Sequence, residues 1–174
     1  MQLGLSESAR VTTAEESRFR IDYPNSRPRK SRIIALDAEG LEALEKLTSA
    51  SSWPDAHFLR YVETKGASDS LHMLPVDAVL EDRDGKRVNL ADEIADADVI
   101  VMVTTAGAAA EAAEVIGNAC FVRSKMTTGL VLNSTDVPAI DLARTLTAMR
   151  PFAAMLVISK GDEYVPEMLS ALRV

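Results

Sequence analysis

The chain has 174 residues, 47% hydrophobic and 26% charged, which is ordinary for a globular protein able to bury its own core without disulfides or metals. Its single cysteine excludes an internal disulfide framework and fits a reducing compartment. The net charge of −7 is unevenly placed: residues 1–32 hold seven basic and four acidic side chains, the remaining 142 hold twelve and twenty-two, and an acidic body of this kind disfavours nucleic acid as a partner.

Residues 1–31 lack sustained periodicity and carry "YPNSRPRKS", so they read as an extended or partly ordered basic arm, with "RIDY" as a short edge strand. Residues 1–30 contain no continuous apolar stretch of the secretory kind, and no run reaches the ~20 residues that cross a bilayer. The expectation is therefore a cytoplasmic protein without a membrane partner. Arg27, Arg29, Lys30 and Arg32 are either an electrostatic hand for phosphate or a partner, or the solvated flank of the first strand.

One domain is expected over 32–174. "RIIALDAEGLEALEKLTSA" opens it: Ile33 to Leu36 form a strand, Asp37 caps a helix, and Leu41, Leu44 and Leu47 recur at helical spacing. "HFLRYVE" is a strand. Trp53-Pro54 and "TKGASDSLHMLP" read as loop, the latter long enough to be a lid or contact surface, with Met73 and Leu74 as partner-facing residues if exposed. "AVLEDRDGKRVNL" is a hairpin turning at Asp84-Gly85.

"LADEIADA" reads as a short acidic helix, and "DVIVMVTT" as a central strand apolar on both faces. "GAAAEAAEVIG" follows as a helix closed by Gly117. "ACFVRS", "TTGLVLNS" or both are strands. "DVPAIDLARTLTAMRPF" is a helix with Pro138 in its first turn, "AAMLVISKG" a last strand and "EYVPEMLSALRV" a last helix. The five methionines from Met102 to Met168 read as core filler. Strands alternating with helices predict a three-layer α/β fold: a mostly parallel sheet of about five or six strands, flanked by helices, with one β-hairpin and the N-terminal arm.

In such a sheet every parallel strand delivers its carboxyl end to one border, where ligands bind near the point at which strand order reverses. The expected rim residues are Asp37, Thr104, Thr105, Gly107, Ser159 and Lys160, joined by Asn133, Ser134 and Thr135 if "GLVLN" is a strand. They suit a nucleotide or another anionic small molecule, with the helix after Gly107 offering free N–H groups. The competing reading is that strand ends are polar because they reach water and cap helices. A second anion site is Arg123, Ser124, Lys125, Thr127 and Thr128, two cations and three hydroxyls around a flexible loop before Gly129. His57 and His72 have no metal-ligand spacing, so no metal is assigned, and Cys120 reads as a buried structural thiol.

Residues 91–107, within "LADEIADADVIVMVTTAG", resemble the mid-sheet portion of Rossmann-like domains. The first strand-helix junction has an aspartate where a dinucleotide glycine loop would begin, which disfavours NAD held in the usual manner. Asp37, Ala38, Glu39, Gly40 and Leu41 resemble the DxDGT pattern of haloacid-dehalogenase-type phosphatases, with glutamate for the second aspartate and leucine for the threonine. That likeness implies a nucleophilic Asp37, with Thr104 or Thr105 and Lys160 in the remaining roles. The lysine of "VISKG" is similar to the one ending the last strand of response-regulator receivers. Thr104 stands near their phosphorylated aspartate, leaving only a non-phosphorylated receiver-like module. The functional expectation is a ligand-binding Rossmann-like domain with no reaction or cofactor assigned. The alternative is a non-catalytic module that homo-oligomerises through its hairpin and basic arm, and the phosphatase comes third.

Overall fold

The computed structural model describes residues 29–62, 78–133 and 137–174. Arg27, the "RIDY" strand, the long loop with His72, Met73 and Leu74, and Ser134 and Thr135 lie outside the described residues. Seven strands form one mixed sheet: β1 (Ser31–Ala35), β2 (Ala56–Val62), β3 (Val79–Asp82), β4 (Arg87–Asn89), β5 (Val99–Thr105), β6 (Met126–Asn133) and β7 (Met155–Lys160). Five helices flank it: α1 (Ala38–Ala50), α2 (Leu90–Ala95), α3 (Ala112–Val122), α4 (Ala139–Met149) and α5 (Val165–Leu172), with a 3-10 turn over Arg150–Phe152.

The strand order is β4-β3-β2-β1-β5-β6-β7. β2, β1, β5, β6 and β7 run parallel to one another, while β3 pairs antiparallel with both β2 and β4. The fold is the expected mostly parallel α/β sheet. Its strand count exceeds the predicted five or six because the hairpin joins the same sheet at its edge. From β1 the chain first moves outward to β2 and the hairpin, then returns to β5 on the other side, so the order reverses between β1 and β5.

Alternation along the strands separates two cores. Ile33, Ala35, Val99, Val101, Val103, Leu130 and Leu132 face α1 and α5 through Leu44, Leu47 and Leu169. Ile34, Leu59, Leu80, Ile100, Met102 and Val131 face the other layer, meeting Leu90, Ile94, Ala113, Ile116 and Met149. β5 contributes to both, which accounts for its unbroken apolar run.

Several local expectations are corrected. The helix after Gly107 does not stop at Gly117: α3 continues to Val122 and takes in most of "ACFVRS", which is therefore not a strand. Gly117 is a packing residue, since a Cβ there would stand 2.4 Å from Phe152 Cβ. "TTG" belongs to β6, not to a flexible loop. Met102 and Met149 are core residues, but Met126 and Met155 are 47% and 41% exposed. The hairpin turns as expected, with Gly85 at φ 78° and Asp82 Oδ1 accepting from the Asp84 and Lys86 amides. No helix among the described residues is long and apolar enough to cross a membrane.

Candidate functional site

Because the β1→α1 and β5→α3 connections both leave the carboxyl border, Asp37 and Thr104–Gly107 meet where the strand order reverses. Asp37 caps α1, its Oδ1 accepting the Gly40 amide at 2.7 Å. Its Oδ2 accepts the Thr104 hydroxyl at 2.7 Å and the Thr105 amide at 2.8 Å. Thr104 is fully buried. Gly40 lets α1 approach, for a Cβ there would lie 3.1 Å from the Val103 carbonyl oxygen. Together these bonds tie the ends of two central strands to one helix terminus. Both Asp37 oxygens thus accept hydrogen bonds from within the fold.

The loop after Thr105 is held from another side. The Ala106 amide donates to the Leu132 carbonyl at 2.8 Å, and the Gly107 amide donates to Thr145 Oγ1 of α4 at 2.9 Å. Gly107 adopts φ 92°, in the left-handed region that favours glycine. Asp37 and Asn89 cap α1 and α2, whereas α3 and α4, whose first turns flank this loop, have no side-chain cap bond. Of their first-turn amides, those of Ala113 and Glu114 already donate to the Ala110 and Glu111 carbonyls and that of Asp141 to the Pro138 carbonyl, and Glu114 and Asp141 place a carboxylate in each first turn.

Ser159 and Lys160 occupy the same border but not the same spot. Three strand spacings separate β7 from β1, roughly 14 Å. Ser159 is buried and donates to the Gly161 carbonyl at 2.8 Å. Lys160 is exposed, beside Asn133 in register, and makes no ion pair among the described residues. Asn133 Oδ1 is buried with no hydrogen-bond partner among them. The rim therefore carries two polar groups, one at β1/β5 and one at β6/β7, with the Gly107 loop between them.

The second predicted site does not assemble as a cradle. Arg123 and Lys125 lie at the opposite border, where the Arg123 side chain donates to the Ala119 carbonyl and Lys125 Nζ to those of Ala95 and Ala97. Ser124 sits at φ 52°. Thr127 Oγ1 accepts the Ala154 amide at 3.1 Å, and Thr128 is fully buried with its hydroxyl unpartnered among the described residues. Lys125 and Thr127 are thus engaged by the fold, the Thr128 hydroxyl is buried inside it, and only Arg123 and Ser124 are exposed. Cys120 is a free, buried thiol, and burial pushes its pKa up to about 12 despite nearby Arg123 and Lys125.

The basic flank of β1 is structural too. Arg32, 11% exposed in its side chain, pairs with Glu93 and, at 3.1 Å, with Asp96 of the α2 end. Lys30 reaches Asp96 at 3.0 Å, and His57 Nδ1 lies 3.0 Å from Glu93 Oε2. Arg32 thus docks the acidic helix α2 from a largely buried position, while Lys30, 60% exposed in its side chain, stays on the solvated flank. Sequence reading missed the pairing because Arg32 and Glu93 stand 61 residues apart.

It also missed a concavity of about 630 Å³ between the α1–β2 loop and the hairpin tip, lined by Trp53, His57, Phe58, Asp82, Arg83 and Asp84 among others. No motif marks it. Asp82 Oδ1 and His57 Nδ1 are already engaged, whereas Ser51, Ser52 and Arg83 also line the concavity and Trp53 Nε1 is buried with no hydrogen-bond partner among the described residues.

No protein-family model and no curated protein matches the chain. Among solved structures, it is similar to the apo form of the flavoprotein from Lactobacillus acidophilus NCFM, solved by NMR, with a TM-score of 0.48 and 10% identity, covering 82% of this chain and 98% of that one.

Proposed function

We propose that this protein binds a nucleotide or another anionic small molecule along the carboxyl border of its sheet, between the Gly107 loop and Lys160. The observation that carries this reading is the strand order, which reverses between β1 and β5 and opens the border there. The ammonium of Lys160, exposed and without an ion pair among the described residues, supports an anionic group on the ligand. Two strand spacings, roughly 10 Å, separate β5 with its Gly107 loop from β7 with Lys160, which favours an extended molecule over inorganic phosphate.

The predicted residues then divide by role. Lys160, the Gly107 loop and Thr105 face the ligand. Asp37, Thr104 and Ser159 shape the border through bonds already made. The phosphatase reading gains no support from Asp37, whose oxygens are bound to a helix start and a neighbouring strand.

Thermal-shift titration of the full chain with nucleoside mono-, di- and triphosphates and with flavin nucleotides tests the reading. A ligand at a hundred times its Kd stabilises the native state by about 2.7 kcal/mol. The expected result is a saturable rise in Tm with at least one of them, weakened about tenfold or more in Lys160→Ala, the fold-change of one lost charge-assisted contact. No shift with any of them, or a shift indifferent to Lys160→Ala, refutes the proposal.

A further inference from the structure

The two edges of the sheet are built differently. β4 is three residues long, begins with Arg87 and runs straight into α2, the short, charged edge that discourages strand addition. β7 is six residues long and reads MLVISK, with its only charge at the carboxyl end. It is hydrogen-bonded to β6 on one side, and no strand among the described residues pairs with its other side. Ile158 and Met155 are 48% and 41% exposed on it. A long apolar edge with open backbone groups is a template for another strand.

We propose that β7 is a dimerisation edge, pairing antiparallel with β7 of a second copy of this chain to continue the sheet across a two-fold axis. The occupant follows from symmetry and charge. A two-fold axis normal to the sheet makes the paired strands antiparallel and keeps each face continuous, so only residues that share a face stand opposite one another. Leu156 and Ile158 share a face with Gly129 and Val131, whereas Met155, Val157 and Ser159 lie on the other.

The axis then passes through Val157 or through one of its neighbours on the strand. At Val157, Ile158 meets Leu156 of the second copy on one face, twice, and Met155 meets Ser159 on the other. Lys160 falls opposite Ala154, clear of the second lysine. Placing the axis at Ile158 would set Lys160 against Leu156. Parallel pairing in register would stack Lys160 on its own copy, a like-charge contact that is destabilising. In the Val157 register exposed Ile158 is covered by Leu156 of the second copy and the two lysines stay apart.

A six-residue edge falls short of the ~800 Å² per partner of a standard stable interface, so the dimer is reversible and concentration-dependent. The site differs from the hairpin and basic arm expected from the sequence, and it stands whether or not the rim binds a ligand.

Sedimentation equilibrium of the full chain over a roughly hundredfold concentration range is the test. A monomer–dimer equilibrium is expected, weakened about tenfold or more by Ile158→Lys and by Met155→Lys, and unchanged by Arg87→Glu at the opposite edge. A monomer at every concentration overturns the proposal, as does a dimer that survives both lysine variants. If either variant fails to fold, hydrogen exchange on the unaltered protein decides. β7 amides that exchange more slowly as concentration rises support the pairing, and unchanged exchange overturns it.

Discussion

Asp37→Ala removes three hydrogen bonds at once, and each can be valued. Loss of the α1 cap costs about 1 kcal/mol. Thr104 is fully buried, so its hydroxyl loses a charged acceptor in a place water does not reach, at about 1–3 kcal/mol. The Thr105 amide, partly buried, adds roughly 0.5–1 kcal/mol. The expected destabilisation is about 3–4 kcal/mol, a large share of the ~5–15 kcal/mol by which domains are stable. With a urea slope of about 2 kcal/mol/M, the midpoint falls by roughly 1.5–2 M. Asn is as good a cap as Asp but cannot accept on both sides, so Asp37→Asn should lose about half as much. Urea unfolding followed by far-UV circular dichroism measures both variants. If Asp37→Ala unfolds within about 0.5 kcal/mol of the parent, the range of an inconsequential surface substitution, the carboxylate is not a lock and the division of roles along the rim fails.

Gly117→Ala has the opposite sign from its usual effect. In an exposed helix interior the change stabilises by about 1 kcal/mol, but here the new methyl would lie 2.4 Å from Phe152 Cβ and 3.1 Å from its Cα, costing about 1–3 kcal/mol of overpacking; a raised Tm would contradict the close approach of α3 to the 3-10 turn. Cys120, with its pKa raised to about 12, is overwhelmingly protonated at pH 8, about one thiol in 10⁴ being ionised. A disulfide reagent should therefore label it no faster than the protein opens, and labelling as fast as that of a free cysteine would refute its burial.

The fold was legible because its signals are local. The short apolar run of β1, the two-faced apolar run of β5 and the cap at Asp37 each need only a few adjacent residues to be read, and they recur as strand, central strand and helix start. The misreadings share a cause. Gly117 looks like a helix stop, and only Phe152, 35 positions on, shows it as a point of contact. Thr127 and Thr128 look like loop until β5 and β7 are placed on either side of them. Arg32 looks like one of several surface cations until Glu93 is seen against it.

The border could be enumerated from sequence but not measured. Parallel strands guarantee that Asp37, Thr104 and Lys160 reach one edge; strand order decides whether they touch. Asp37 and Thr104 follow and end neighbouring strands and bond to each other, whereas β7 lies two strands beyond β5 and Lys160 has no ion pair among the described residues. Polar groups that satisfy one another have little left for a ligand, since each new contact must displace a bond already made. The recognition capacity of this edge therefore rises from the centre, where the sequence pattern is strongest, toward β6 and β7, where Asn133 Oδ1 and Lys160 remain unmatched among the described residues. It follows that Lys160→Ala should weaken any rim ligand while leaving stability nearly untouched, and Asp37→Ala should lower stability first and affinity only as a consequence.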